Sequence, residues 1–232
     1  MALNRVERID ERVTVRTVLA SVSDKTGLDS FVAGLLSMNP SIRILSTGGT
    51  HAAIASALGP AATRCLQQVS AYTGQPEMQG GLVKTLDFRI YLGLLSETYN
   101  PAHQDDLART GAVAVDMVVV NLYPFERTVA DPGASPESAR GNIDIGGPCM
   151  VRAAAKNFHR VAIVTDPVDY AGVLAEIKGH GGTLSLDTRF ALAQKAFRLT
   201  ARYDAAIAEY LAALPVPAMK AVYRIEAGGQ GR

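Results

Sequence analysis

Residues Val15–Leu36 read VRTVLASVSDKTGLDSFVAGLL, and the two ends of this stretch follow different periods. Val15 to Val22 is apolar and rich in β-branched residues, as a strand buried on both faces is. Beyond Gly27, the residues Leu28, Phe31, Val32, Leu35 and Leu36 recur at the spacing of one helix face. The polar SVSDKTG between them is a turn. The stretch therefore predicts a strand–turn–helix unit. A second unit follows, with IRIL (Ile42–Leu45) as strand, STGGT (Ser46–Thr50) as turn and HAAIASAL (His51–Leu58) as a helix closed by Gly59-Pro60.

Repeated units of this kind define an α/β fold, a parallel sheet with helices on its faces. Further strands are expected at Arg89–Leu95, Val115–Val120 and Val161–Thr165. Asp166-Pro167 reads as an N-cap with proline at the first helical position, opening a helix that ends near Gly179. Leu186 to Leu214 is helical and alanine-rich, and Pro215 and Pro217 stop it. The organisation expected is a charged arm over residues 1–13, a single domain over 14–213 and a tail over 214–232. Within the domain, the α/β core spans about 14–130 and a C-terminal part spans 131–213.

The bulk numbers exclude several classes. With 232 residues, 48% hydrophobic and 19% charged, the chain can bury a substantial core. Its net charge of +1 gives no footprint for nucleic acid or a membrane surface. No apolar run is long enough for a membrane span, and the charged N-terminus lacks a signal-peptide core. A cytoplasmic location is expected. The two cysteines and four histidines show no metal-type spacing, so no metal is expected.

In a parallel α/β sheet, ligands sit at the carboxyl ends of the strands. Two turns there suit a phosphate: SVSDKTG, with Ser21, Ser23 and Lys25, and STGGT, with Thr47, Gly48, Gly49 and Thr50. Glycines let backbone N–H groups approach, a helix N-terminus favours an anion, and lysine adds charge. Neither turn is a P-loop or a dinucleotide fingerprint. GGLVKTL places Lys84 and Thr85 after a glycine pair, and VVVNLYPF ends a strand with Asn121 and Tyr123. In IDIGGPCMVRAAAK (Ile143–Lys156), Pro148 fits the first turn of a helix. Asp144 precedes the glycine pair Gly146-Gly147. Lys156 lies two turns past Pro148, about 12 Å along the axis, so contact between Asp144 and Lys156 is not guaranteed by spacing.

Together SVSDKTG, STGGT, YTGQPEMQGGLVKTL, VVVNLYPFERTVA, NIDIGGPCMVRAAAKN and FRLTARYDAAIAEYL resemble, in order and spacing, the inosine monophosphate cyclohydrolase domain. That domain is the N-terminal half of a bifunctional purine-biosynthesis enzyme, and the resemblance covers roughly Val15 to Leu211. It implies a methylglyoxal-synthase-like, three-layer α/β/α fold with extra C-terminal helices and a strand. The implied reaction converts 5-formamidoimidazole-4-carboxamide ribonucleotide to inosine monophosphate and water, with no cofactor. It also implies a homodimer and a purine nucleotide substrate.

Carried onto this chain, the resemblance places the nucleotide and its phosphate on Ser23, Asp24, Lys25, Thr47, Gly48, Gly49 and Thr50. Thr85, Asn121, Ile145 and Gly146 add substrate contacts. Lys156, Lys84, Tyr123 and Asp144 are the expected catalytic groups. Lys156, tuned by Asp144 and Tyr123, would move protons, while Lys84 with the Ile145 and Gly146 amides would hold the oxyanion. Lys156→Ala should then cost turnover far more than affinity.

Two departures stand out. Leu82 and Asp87-Phe88 replace a basic residue and His-Pro of the family pattern, and Arg89 is a candidate substitute for the lost cation. The family continues into a formyltransferase domain where this sequence stops; the two readings are a piece of the longer enzyme and a stand-alone cyclohydrolase served by a separate formyltransferase, and the second is the expectation. The competing readings are methylglyoxal synthase and a non-catalytic nucleotide or phosphate sensor of the same fold. A sensor has no use for Lys84, Tyr123, Asp144 and Lys156 together.

Overall fold

A computed structural model describes residues 5–75 and 85–226 of the chain. A short strand, β1 (Arg12–Thr14), leads into β2 (Thr17–Val22), α1 (Leu28–Met38), β3 (Arg43–Ser46) and α2 (Gly48–Leu58). Three short elements follow: α3 (Ala62–Cys65), β4 (Leu66–Gln68) and α4 (Val69–Thr73). Then come α5 (Phe88–Leu95), α6 (Pro101–Thr110) and β5 (Met117–Asn121). The chain continues with α7 (Phe125–Val129), α8 (Pro136–Gly141), α9 (Gly146–Lys156) and β6 (Ala162–Val164). It closes with α10 (Tyr170–Gly179), β7 (Thr183–Ser185), the long α11 (Leu186–Ala213) and α12 (Val216–Ala221).

The main sheet has five strands in the order β4-β3-β2-β5-β6, all parallel. Its strands alternate between two cores. Val18, Ala20 and Val22 of β2, Met117 and Val119 of β5, and Ala162 and Val164 of β6 face a cluster with α1, α2 and α10. Leu19, Val118, Val120 and Ile163 point the other way, into a cluster with α5, α9 and α11. Because both faces are covered, the middles of these strands carry apolar residues on both faces rather than on one. Phe31 of α1 stacks on Tyr170 of α10 with centroids 4.3 Å apart, joining the two helices of the first layer.

The expected strand at Arg89–Leu95 is instead helix α5. Asp87 caps it by accepting the Arg89 amide at 2.8 Å, and the buried Ile90, Gly93 and Leu94 share one face. Gly93 is required there, since a Cβ would stand 2.4 Å from the Val113 carbonyl oxygen. Asp166 and Pro167 open the turn into α10 as expected, with the Asp166 side chain accepting the Val168 amide. The N-terminal arm is held through β1, which pairs antiparallel with β7. Arg189 of α11, 0% exposed, donates to the carbonyls of Asp10, Glu11, Phe158, His159 and Leu184. Within the tail, residues up to Ala221 form α12, and Tyr223 bonds Glu137 of α8. No helix among the described residues is long and apolar enough to cross a membrane.

Candidate active site

The carboxyl ends of β2, β3 and β5 lie on one edge of the sheet, with Val22 in register with Asn121. There a cavity of 380 Å³ opens, within the range of small-molecule sites, roughly 300–1,000 Å³. Ser23 and Lys25 line it from the β2–α1 loop, and Thr47, Gly48, Gly49 and Thr50 line it from the start of α2. Thr85, Asn121 and Tyr123 add a further wall, and Asp144, Ile145, Gly146 and Gly147 complete it at the N-terminus of α9. The two phosphate-type turns and the acid–glycine turn thus share one space.

The wall formed by the β2–α1 loop and the start of α2 is built by cross-bracing. The Thr50 hydroxyl accepts the Val22 amide at 3.0 Å and donates to the Val22 carbonyl at 3.1 Å, locking α2 onto the end of β2. The hydroxyls of Ser21 and Thr47 are 2.8 Å apart. The Thr47 carbonyl accepts the amides of Thr50 and His51. The α2 dipole therefore aims into the cavity, between backbone and the Lys25 ammonium. A Cβ on Gly49 would sit 4.0 Å from Lys25 Nζ. Lys25 makes only long contacts of 3.4 Å to the carbonyls of Val22 and Ser23, which leaves its charge available to an anion.

Two expected substrate contacts have another duty. Asp24 accepts the amide and hydroxyl of Thr26 at 2.9 and 2.7 Å, and this turn holds its carboxyl below the ordinary value. Asp24 does not line the cavity; its side chain closes its own loop. Asn121 lines the cavity but is committed to the same loop: its Oδ1 accepts the amides of Ser23 and Asp24, and its Nδ2 donates to the Asp24 carbonyl.

Elsewhere in the lining, Asp144 accepts the Gly147 amide at 2.9 Å, and the Tyr123 amide also favours its ionised form. Burial dominates over these bonds and holds the carboxyl above its ordinary value. Its surroundings are too close for larger neighbours: a Cβ on Gly147 would meet Asp144 Oδ2 at 2.3 Å, and one on Gly146 would meet the Thr85 hydroxyl at 2.5 Å. The glycines between Asp144 and Pro148 exist for this close approach. Tyr123 itself is 55% exposed at the rim.

Lys156 is the main correction. It lies at the far end of α9, ten residues and about 15 Å from Gly146, and helps to line a separate 230 Å³ cavity with Leu95, Glu97, His103, Asn157 and His159. Since α9 runs back along the sheet from the site, its last residue comes out at the opposite edge. Within one chain Lys156 cannot meet Asp144; any part in this site would require a second copy to deliver it. Lys84 and Leu82 fall outside the described residues. Arg89, the candidate substitute cation, donates to the Tyr72 carbonyl at 3.1 Å and does not line the cavity.

Sequence reasoning passed over Gly141, Ile143 and Met150, which also line the cavity. Met150 had a signal, being one turn beyond Gly146 on the same helix face. Tyr203, whose hydroxyl accepts the Asp144 amide at 2.8 Å, had none beyond the FRLTARYDAAIAEYL motif in which it sits.

A parallel sheet covered on both faces, with a cavity lined by two helix N-termini, a lysine and a buried carboxyl at its carboxyl edge, defines an α/β domain with a small-molecule-sized site at the usual position. The chain belongs to the MGS-like domain family, whose model matches residues 27–149. Residues 154–228 match the model described as AICARFT/IMPCHase bienzyme. The bifunctional purine biosynthesis protein PurH of Chlorobium phaeovibrioides is 50% identical over 197 residues, covering 85% of this chain and 36% of the relative. PurH of Sorangium cellulosum is 49% identical over 201 residues, covering 87% and 37%. The chain thus spans little more than a third of these relatives' length. A crystal structure of ForH superposes with a TM-score of 0.70 at 34% identity, covering 84% of this chain and 97% of that one.

Proposed function

We propose that this chain is an IMP cyclohydrolase, closing 5-formamidoimidazole-4-carboxamide ribonucleotide to inosine monophosphate and water. The observation that carries the reading is one cavity with Lys25 and the α2 N-terminus at one end and Asp144 with the α9 N-terminus at the other. A nucleotide would lie in it with its phosphate on the first and its base on the second. The kinship with PurH proteins supports the same reading.

The reaction needs few groups. The carboxamide nitrogen forms a bond to the formyl carbon and loses one proton. The formyl oxygen becomes an oxyanion and takes up that proton as a hydroxyl; it leaves as water on taking a second proton, and the formamido nitrogen gives up its hydrogen as a proton when the C=N bond forms. Asp144 is the group placed to take and return the proton, since its raised proton affinity keeps it an effective base near neutral pH. The amides of Ile145 and Gly146, in the first turn of α9, are placed to stabilise the oxyanion. Tyr123 and Thr85 flank the base, and Lys25, Thr47, Gly48 and Gly49 hold the phosphate. Lys84 keeps its expected part in oxyanion stabilisation. We take the working form to be a cytoplasmic homodimer, as the family resemblance implies. The proposal covers ring closure alone, with the formylated substrate coming from a separate formyl-transfer reaction.

An ultraviolet assay following inosine monophosphate from the purified chain tests it. Turnover that falls by about 10²-fold or more in Asp144→Ala supports the reading. Tight binding of inosine monophosphate without any turnover would overturn it in favour of a nucleotide sensor.

A further inference from the structure

Two loops carry the candidate chemistry at the base end of the cavity, and they are remote in sequence from the residue that ties them together. Tyr203 stands on α11, 59 positions from Asp144. Its hydroxyl accepts the Asp144 amide at 2.8 Å and lies 3.3 Å from the Asn142 carbonyl, to which it donates. One phenol therefore holds both ends of the Asn142–Asp144 turn. The ring packs edge-on against Phe125, with centroids 6.2 Å apart and planes at 68°. Phe125 is 1% exposed and donates its amide to the Tyr123 carbonyl at 2.8 Å. The Tyr123 amide in turn favours the ionised form of the Asp144 carboxyl.

We infer that Tyr203 is a positioning residue for ring closure: through its hydroxyl it fixes the Asp144 loop, and through Phe125 it fixes the Tyr123 loop against it. The inference rests on the cyclohydrolase reading for its turnover arm, though not for its titration arm. Tyr203 does not line the cavity, so it acts on the reacting groups only through these loops. A carboxyl that must meet one proton of a weak nucleophile tolerates little displacement: a shift of about 1 Å can cost on the order of 10²-fold in rate. A loop tethered only by its own backbone does not reach that precision, whereas a phenol anchored on a 28-residue helix does.

Tyr203→Phe removes the hydroxyl and keeps the ring. Turnover is expected to fall by about tenfold or more while inosine monophosphate affinity stays within about twofold, the signature of a group acting in the chemical step. The acid limb of the kcat/KM profile should also move, because the Asp144 amide has lost its partner. Tyr210→Phe is the matched control, since Tyr210 packs on the same Phe125 ring with centroids 5.8 Å apart. A residue of 3-fluorotyrosine at position 203 keeps both hydrogen bonds and should restore turnover. The Asp144 carboxyl carbon, followed by NMR across pH in wild type and Tyr203→Phe, reads the positioning without any turnover at all. A displaced titration in Tyr203→Phe supports the inference even if the chain proves inactive, which would sink the cyclohydrolase reading alone. An unmoved titration, or equal losses in Tyr203→Phe and Tyr210→Phe, overturns it.

Discussion

Asn121 grips Asp24 by both backbone groups: its Oδ1 accepts the Asp24 amide at 2.9 Å and its Nδ2 donates to the Asp24 carbonyl at 2.8 Å. The same Oδ1 accepts the Ser23 amide at 2.6 Å. The last residue of β5 therefore closes the loop that presents Lys25 and ties the carboxyl ends of β2 and β5 together. Asn121→Ala deletes all three bonds and leaves loop amides without a partner, at a cost of about 1–3 kcal/mol in stability. Chemical denaturation should show that loss, together with weaker phosphate-dependent binding. Unchanged stability and affinity would mean the loop is held by other means.

Lys25→Ala should weaken inosine monophosphate binding by ten- to a hundredfold, about 1.4–2.8 kcal/mol, with much less effect on the free nucleoside. The same substitution should flatten the salt dependence of binding, since an exposed cation meeting a phosphate is screened by added salt. Isothermal titration at two ionic strengths with nucleotide and nucleoside checks both. Equal losses for the two ligands would place Lys25 away from the phosphate.

How much of this was legible in the chain follows from the range of each interaction. Strands such as MVVVN, the cap at Asp166 and the stop before Pro215 are local and were readable. The Arg89–Leu95 run was misread because its apolar residues suit either period, and the deciding cap, Asp87, lies outside it. The cavity walls could be expected because parallel strands bring their following turns to one edge. The role of Asn121 could not, since its partners lie 97 and 98 residues away. Lys156 shows the converse error: proximity in a motif is not proximity in space when the residues between form a helix directed away from the site. Tyr203 was harder still, being distant in sequence and bonded through its hydroxyl to backbone groups alone.

Arg189 should be among the least replaceable residues in the fold. Its guanidinium is fully buried and shared among five carbonyls rather than paired in a salt bridge, and burial pulls its pKa below the usual arginine value. A lysine ammonium has three donors on one point and cannot span that set. Arg189→Lys should therefore destabilise by about 2–4 kcal/mol, and limited proteolysis should cut the freed N-terminal arm before the domain. Wild-type resistance of the arm would show that β1 pairing alone retains it.

Asp144 links activity and stability with opposite signs. Burial raises its pKa in the folded chain above the unfolded value, which is about 3.9. In the window between the two, the folded state holds more protons, so stability falls as pH rises through it. The ionised carboxyl is therefore a cost to folding at neutral pH that vanishes below the unfolded pKa. Asp144→Asn removes that cost while keeping an acceptor for the Gly147 amide. The variant should be at least as stable as wild type at pH 7, and its advantage should shrink as pH is lowered towards the unfolded value. Its turnover should collapse all the same, because an amide cannot take the carboxamide proton. Wild-type kcat/KM should fall on the acid side at a pH above the ordinary aspartate value, and Asp144→Asn should lack that limb. Thermal melts from pH 3 to pH 8 beside a pH–rate profile test both halves. A variant less stable at pH 7 than at pH 4, relative to wild type, would show that the carboxylate is held by favourable bonds rather than tolerated against burial.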